Sequence, residues 1–287
     1  QFKELSTMGF AADCQAVKCV GWADDIGQRE TMEDGFVFVD CFGGDKSTAF
    51  FAVYDGHDGR ACVDFVTKEL HENVLQEMRD DTSVPEALIR AHNRTDREML
   101  QSKIETSGAT SCCCLLREEQ AGRMIYTAHL GDARAVICRG GLGVRLTSPS
   151  DHKATDPEEA KRVVESGGTI INERVNGMLA ISRAFGDHQL KKPKMPQDIV
   201  SNIPEITSTE VTESDMFVIL ACDGLWDVCD DQEAVNLVLE FMQNHLASNP
   251  GAANDRKRMA ELLASVLIQE ALKRQTTDNI TCLLVFL

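Results

Sequence analysis

The stretch FFAVYDGHDG (50–59) is where an apolar run breaks off at an acid, two glycines and a histidine. Phe50, Phe51, Ala52, Val53 and Tyr54 predict a strand covered on both faces, because short runs of aromatic and β-branched residues fit a buried pleated sheet. Asp55 then stands at the strand's end, where a rigid scaffold can aim a carboxylate into a cleft. Upstream, GFVFVDCF from Gly35 predicts a second strand, and GGDK from Gly43 supplies the turn between the two. Folding that hairpin about the middle of the turn pairs residues whose numbers sum to 89, which sets Asp34 opposite Asp55 and Glu33 opposite Gly56. Three acids crowd one spot. The cluster is either a solvated hairpin end with its acids pointing apart, or a site where a divalent cation cancels their repulsion.

The totals narrow the classes. A chain of 287 residues makes one large domain or two small ones and can bury a substantial core. Hydrophobic content of 43% with 26% charged residues is ordinary for a globular protein. No apolar run approaches the roughly 18 residues needed to cross a bilayer. Residues 1–18 lack the basic start and apolar stretch of a secretory signal, although a targeting segment could have been trimmed away. The net charge of −17 argues against nucleic acid and anionic membrane as partners and favours basic peptide segments or metal cations. Eleven cysteines with no CxxC pair, three of them consecutive at Cys112, Cys113 and Cys114, read as small apolar residues. That usage fits a reducing compartment, cytoplasmic or nuclear.

Along the chain, 19–22 predicts a first strand, followed by the polar ADDIGQRETMED (23–34). Apolar positions three and four apart predict a helix over 60–79, and Ser83 as cap with Pro85 in the first turn opens a second. Strands follow over 110–116, 124–129 and 135–138, the last after the tight turn LGDAR (130–134) that holds Asp132. Asp156 caps a helix that ends at Gly167 and Gly168. From 169 to 200 the periodicity weakens, which predicts an irregular lobe rather than core. The buried strand MFVILAC (216–222) ends, like the first, in an acid and a glycine, Asp223 and Gly224, with Asp227 four residues on. Helices over 232–245 and 255–273 precede a last strand that starts just after Asp278. If that strand pairs antiparallel with the one ending at Asp223, two more acids meet at one sheet edge. Strand blocks interleaved with helix pairs predict an α+β fold, two mainly antiparallel sheets stacked face to face with helices outside, in one domain spanning 1–287.

Carboxylates without histidine or cysteine clusters select hard ions, Mg²⁺ or Mn²⁺ rather than zinc. More acids than one ion needs imply two ions, about 3.5 to 4 Å apart, acidifying a shared water for in-line attack on phosphorus. Arg29 is either an ordinary surface ion pair with Glu33 or a planar fork for two phosphate oxygens. His57 is either a turn histidine bonding backbone or, with an unperturbed pKa of about 6.5, a proton donor to a leaving alkoxide.

The ordered series RETMED (29–34), VYDGHDG (53–59), SGAT (107–110), LGDAR (130–134), LAISRAFGD (179–187), ACDGLWD (221–227) and TDN (277–279) resembles the metal-dependent PPM/PP2C serine/threonine protein phosphatases. The resemblance implies an α-β-β-α sandwich and hydrolysis of phosphoserine and phosphothreonine in phosphoprotein substrates, with no phosphoenzyme intermediate. It carries the binuclear metal centre onto Glu33, Asp55, the carbonyl of Gly56, Asp223 and Asp278, with Asp34 holding metal-bound water. Arg29 takes the phosphate, His57 acts as general acid, and a third, weaker ion in some members uses Asp132, Asp223 and Asp227. Residues 169–200 match the family's flap, in which KKPKMPQD (191–198) is idiosyncratic. A monomer is expected. Other phosphatase chemistries have no footing, since the chain has no cysteine six positions before an arginine, no DxDxT and no GNHE.

Overall fold

The computed structural model describes residues 7–11, 14–79, 82–147, 149–191, 198–248 and 256–287. A five-stranded antiparallel sheet runs in the order Glu205–Glu210, Gly122–Leu130, Ser111–Glu119, Ala49–Tyr54, Gly35–Val39. A six-stranded sheet runs Thr7–Ala11, Cys19–Asp25, Ile280–Phe286, Asp215–Ala221, Arg134–Arg139, Leu142–Arg145. Strand Ala49–Tyr54 shows why its sequence carries no polar alternation. Phe51 and Val53 point between the sheets, where they meet Cys112, Cys114, Val218, Leu220 and Leu283. Phe50, Ala52 and Tyr54 point outward onto the helices Ala61–Glu77 and Val84–Gln101, against Val66, Leu70 and Leu88. Each such buried side chain contributes about 1.5–3 kcal/mol, so both faces favour the same apolar run. Cys113 turns to the outer face while its neighbours turn inward, as the period of two requires.

Helices Asp231–Ser248 and Arg256–Lys273 cover the other sheet, with Val235, Val238, Leu263 and Leu267 packed on Phe217 and Ile219. The layering is therefore helix, sheet, sheet, helix. The hairpin register agrees with the sequence reading, Gly35 opposite Tyr54 and Phe36 opposite Val53. So does the second pairing, Ala221 opposite Cys282. All cysteines but Cys14 and Cys41 are buried, and none is in a disulfide.

Four features depart from the sequence reading. A strand at Thr7–Ala11 precedes the first expected one, which itself extends to Asp25. A four-residue helix, Asp223–Trp226, follows the strand ending at Ala221. Ser83 stands at the helix start, yet its hydroxyl makes no cap bond, whereas Asp156 does cap, accepting from the N–H groups of Glu158 and Glu159 at 3.0 and 3.1 Å. The lobe after helix Pro157–Glu165 has a core of its own, where Val163, Val175, Ile181, Leu190, Ile199 and Val200 are buried together. The sequence shows no period there because those residues come from separate short pieces, among them the end of helix Pro157–Glu165, the hairpin Ile170–Ile171 with Arg174–Val175, and the 3₁₀ turn His188–Leu190. Within KKPKMPQD, residues 192–197 lie outside the described residues.

Candidate metal centre

Asp34, Asp55, Asp132, Asp223 and Asp278 each lie within two residues of a strand end. Asp34 precedes strand Gly35–Val39 and Asp55 follows strand Ala49–Tyr54. Asp132 occupies the turn by which the chain steps from one sheet to the other. Asp223 follows strand Asp215–Ala221, and Asp278 precedes strand Ile280–Phe286. Carboxylate oxygens of Asp55, Asp132 and Asp223 lie within 4.8 Å of one another, and those of Asp34 and Asp55 lie equally close to the Cys222 thiol. Burial pushes the Asp34 carboxyl up to about 7, helped by the charges of Asp223 and Asp278. Burial likewise holds Asp132 up at about 6 against the opposing pull of Lys153. Burial raises both Asp55 and Asp223 well above the ordinary carboxylate value, helped on Asp55 by the charges of Asp34, Asp132 and Asp278 and on Asp223 by those of Asp55, Asp132 and Asp278.

The surrounding loops are drawn tight. Asn279 uses its whole amide, accepting from Glu33 N–H at 2.7 Å and donating to the carbonyls of Ile26 and Thr31 at 2.9 and 3.0 Å. A Cβ at Gly56 would come within 2.5 Å of the Glu33 carbonyl oxygen, so only glycine allows the two backbones to approach this closely. The Glu33 carboxylate accepts from Gly59 N–H at 3.1 Å and from the Thr31 hydroxyl at 3.0 Å. Arg29 does not pair with Glu33; its guanidinium lies on Asp278 at 2.6 Å and stays more than half exposed. Asp227 lies outside the Asp55–Asp132–Asp223 group. Lys153 holds it at 3.0 Å and reaches Asp132 at 3.7 Å.

Arg134 braces the turn that carries Asp132. It pairs with Asp151 and Asp231 at 2.6 Å each and lies 5.2 Å over the Trp226 ring. His152 accepts from Gly131 N–H, stacks on His129 and bonds Glu205 at 3.2 Å. His57 Nε2 donates to the buried Asp187 carboxylate at 2.9 and 3.0 Å. Burial alone would depress the His57 imidazolium, but the Asp187 bond and charge outweigh it and hold its pKa above the ordinary histidine value.

The description Protein phosphatase 2C belongs to the family model that matches residues 24–280. The chain belongs to the protein phosphatase 2C family. Protein phosphatase 2C homolog 1 of Saccharomyces cerevisiae is 38% identical over 274 residues, covering 90% of this chain and 89% of the yeast protein. Its counterpart in Schizosaccharomyces pombe is 38% identical over 276 residues, covering 92% of this chain and 72% of its own. A solved phosphatase from Toxoplasma gondii superposes with a TM-score of 0.80 over 97% of this chain and 95% of its own at 21% identity, a likeness of fold. A solved Caenorhabditis elegans sex determining protein gives a TM-score of 0.78 at 28% identity, over 93% of this chain and 64% of its own. The chain is thus a Mg²⁺/Mn²⁺-dependent serine/threonine protein phosphatase.

In this PP2C chain the acids fit hard divalent cations. Asp34 Oδ2 and Asp223 Oδ1 are buried with no hydrogen-bond partner among the described residues, an arrangement costly for a carboxylate unless something positive joins it. Burial and the Asp34 and Asp55 charges raise the Cys222 thiol above its ordinary value. The sequence reading missed Lys153 and Asp187. Nothing in residue spacing joins Asp187 to a histidine 130 positions away, although both stand in quoted motifs.

Proposed function

We propose that Glu33, Asp55, the Gly56 carbonyl, Asp223 and Asp278 hold two Mg²⁺ or Mn²⁺ ions in this phosphatase, and that Asp132, Asp223 and Asp227 admit a third, weaker one. The observation that carries this reading is the meeting of Asp55, Asp132 and Asp223 oxygens within 4.8 Å, together with the unpartnered Asp223 oxygen. When bound, such ions cancel the acids' repulsion and supply an acidified water oriented for in-line attack on phosphorus. Asp34 lies beside Asp55 as a hydrogen-bond partner for ordered water. Arg29, half exposed on Asp278, swings its guanidinium fork onto two phosphate oxygens once cations take over that acid. His57 gives a proton to the departing seryl or threonyl oxygen. Water attack by this route leaves no covalent phosphoenzyme. The substrates are phosphoserine and phosphothreonine in proteins, and the chain acts as a monomeric single domain.

The test is hydrolysis of a phosphothreonine peptide by the purified chain with Mn²⁺, with Mg²⁺ and with excess chelator. Turnover is expected with either ion and abolished by the chelator; full turnover in chelator would refute the metal centre.

A further inference from the structure

The SGAT and LAISRAFGD segments meet His57 in a way that the metal centre does not use. Three two-residue strands lie side by side, His57 opposite Gly108 and Gly108 opposite Gly186. Gly108 has no side chain to separate its neighbours. A Cβ there would lie 2.2 Å from Asp187 Oδ2 and 2.3 Å from His57 Nε2. Both oxygens of Asp187 therefore reach the same ring nitrogen across the glycine, and the Asp187 side chain is fully buried.

The aspartate is held as firmly as it holds the histidine. Its backbone adopts the left-handed conformation at φ 49°, a state that a non-glycine residue keeps only where its surroundings impose it. Gly186 before it donates its N–H to Asp96 Oδ1 at 2.9 Å, and Lys191 after it donates to the same buried oxygen at 2.6 Å. His188 adds bonds to the carbonyls of Ile104 and Asp96 at 2.9 and 3.1 Å. The base of the flap is thus locked to helix Val84–Gln101 on both sides of Asp187.

We infer that Asp187 is a positioning residue for the hydrolysis, fixing the ring of His57 so that Nδ1 faces the leaving oxygen. This rests on the proposed role of His57 as proton donor. With Nε2–H donated to Asp187, Nδ1 is the ring nitrogen left to serve the substrate. In the step itself the water oxygen bonds to phosphorus, the phosphorus–oxygen bond to the seryl or threonyl group breaks, and its electron pair stays on that oxygen. The proton on Nδ1 passes to the oxygen, leaving a neutral ring whose Nε2–H remains on Asp187. The flap's root, and not only its surface, then belongs to the reaction, and the glycine of SGAT is required because any side chain would part the pair.

The experiment compares H57Q, D187N, G108A and the double variant H57Q/D187N, each saturated with Mn²⁺, on a phosphoserine peptide and on p-nitrophenyl phosphate. Thermal midpoints are recorded for all four. A poor leaving group needs the proton and an activated one does not, so D187N should lose about 10-fold or more on the peptide and far less on the aryl ester. G108A should lose in the same selective way. The double variant should fall no further than H57Q alone, since the two residues act as a unit. Equal losses on both substrates in D187N and G108A, with H57Q still selective, would overturn the role of Asp187 and leave that of His57 standing. Equal losses in H57Q itself would overturn both. Should D187N lower the midpoint sharply, G108A decides, because it keeps the Asp187 carboxylate and only pushes it away from His57.

Discussion

Asp223 keeps a buried carboxylate oxygen with no hydrogen-bond partner among the described residues, next to Asp55 and Asp132. A neutral amide of the same shape removes a charge that the metal-free fold tolerates poorly. Asp223→Asn should therefore raise the unfolding midpoint of the chelated protein while lowering kcat on phosphopeptide by about 10²-fold or more, with calorimetry and steady-state kinetics as the two measurements. A midpoint that falls would show the acid to be structural. Glu159 shows the opposite case, an acid wholly committed to protein partners. Burial would raise its carboxyl, but the Arg183 and Ser182 hydrogen bonds and the Arg162 charge overcome that and hold it at about 2. Because the folded value lies below the ordinary 4.5, the stability that Glu159 contributes is present in full above about pH 4.5 and is lost as pH falls towards 2. Glu159→Gln should cost about 3 kcal/mol at pH 7, since two partly buried arginines lose their counter-charge. It should also flatten the pH dependence of urea unfolding between 2 and 4.5.

Elements meet closely where the sequence spends a glycine. Helix Arg256–Lys273 crosses strand Cys19–Asp25 so tightly that a Cβ on Gly21 would lie 2.2 Å from the Ala260 carbonyl carbon. Gly21→Ala should force the helix outward and destabilise the fold by about 1–3 kcal/mol, read as a lower urea midpoint at unchanged m-value. Such a glycine is invisible in the sequence, because its reason is a backbone that arrives more than two hundred residues later. The hairpin register was legible for the opposite reason. Its two strands are sequence neighbours, joined by the nine residues 40–48 with the 3₁₀ helix Phe42–Gly44, so folding about the middle of that connection gives the observed pairing. The flap's core was not legible, since Val163, Ile181, Leu190 and Ile199 share neither a helical nor a strand period. Strand Thr7–Ala11 carries glycine at its centre and gives no alternation to read.

At the scale of the whole molecule the net charge is −17. A phosphopeptide flanked by arginine or lysine should show a lower KM than one flanked by acids. That advantage should shrink as salt rises from about 0.01 to 0.5 M, since the screening length falls below 10 Å past about 0.1 M. An advantage unmoved by salt would place substrate choice in shape rather than charge. The order of the motifs along the chain made the family and the acid cluster legible before any coordinates. The pairing of Lys153 with Asp227 and of His57 with Asp187 was not, because each joins loops whose meeting depends on how two sheets are stacked. That stacking has one more consequence. Asp34 and Asp55 leave one layer while Asp223 and Asp278 leave the other, so the cleft straddles the seam of the molecule. Any slippage between the halves would pull the oxygens out of reach of one another long before either half came undone, and turnover would register that loosening earlier than spectroscopy could.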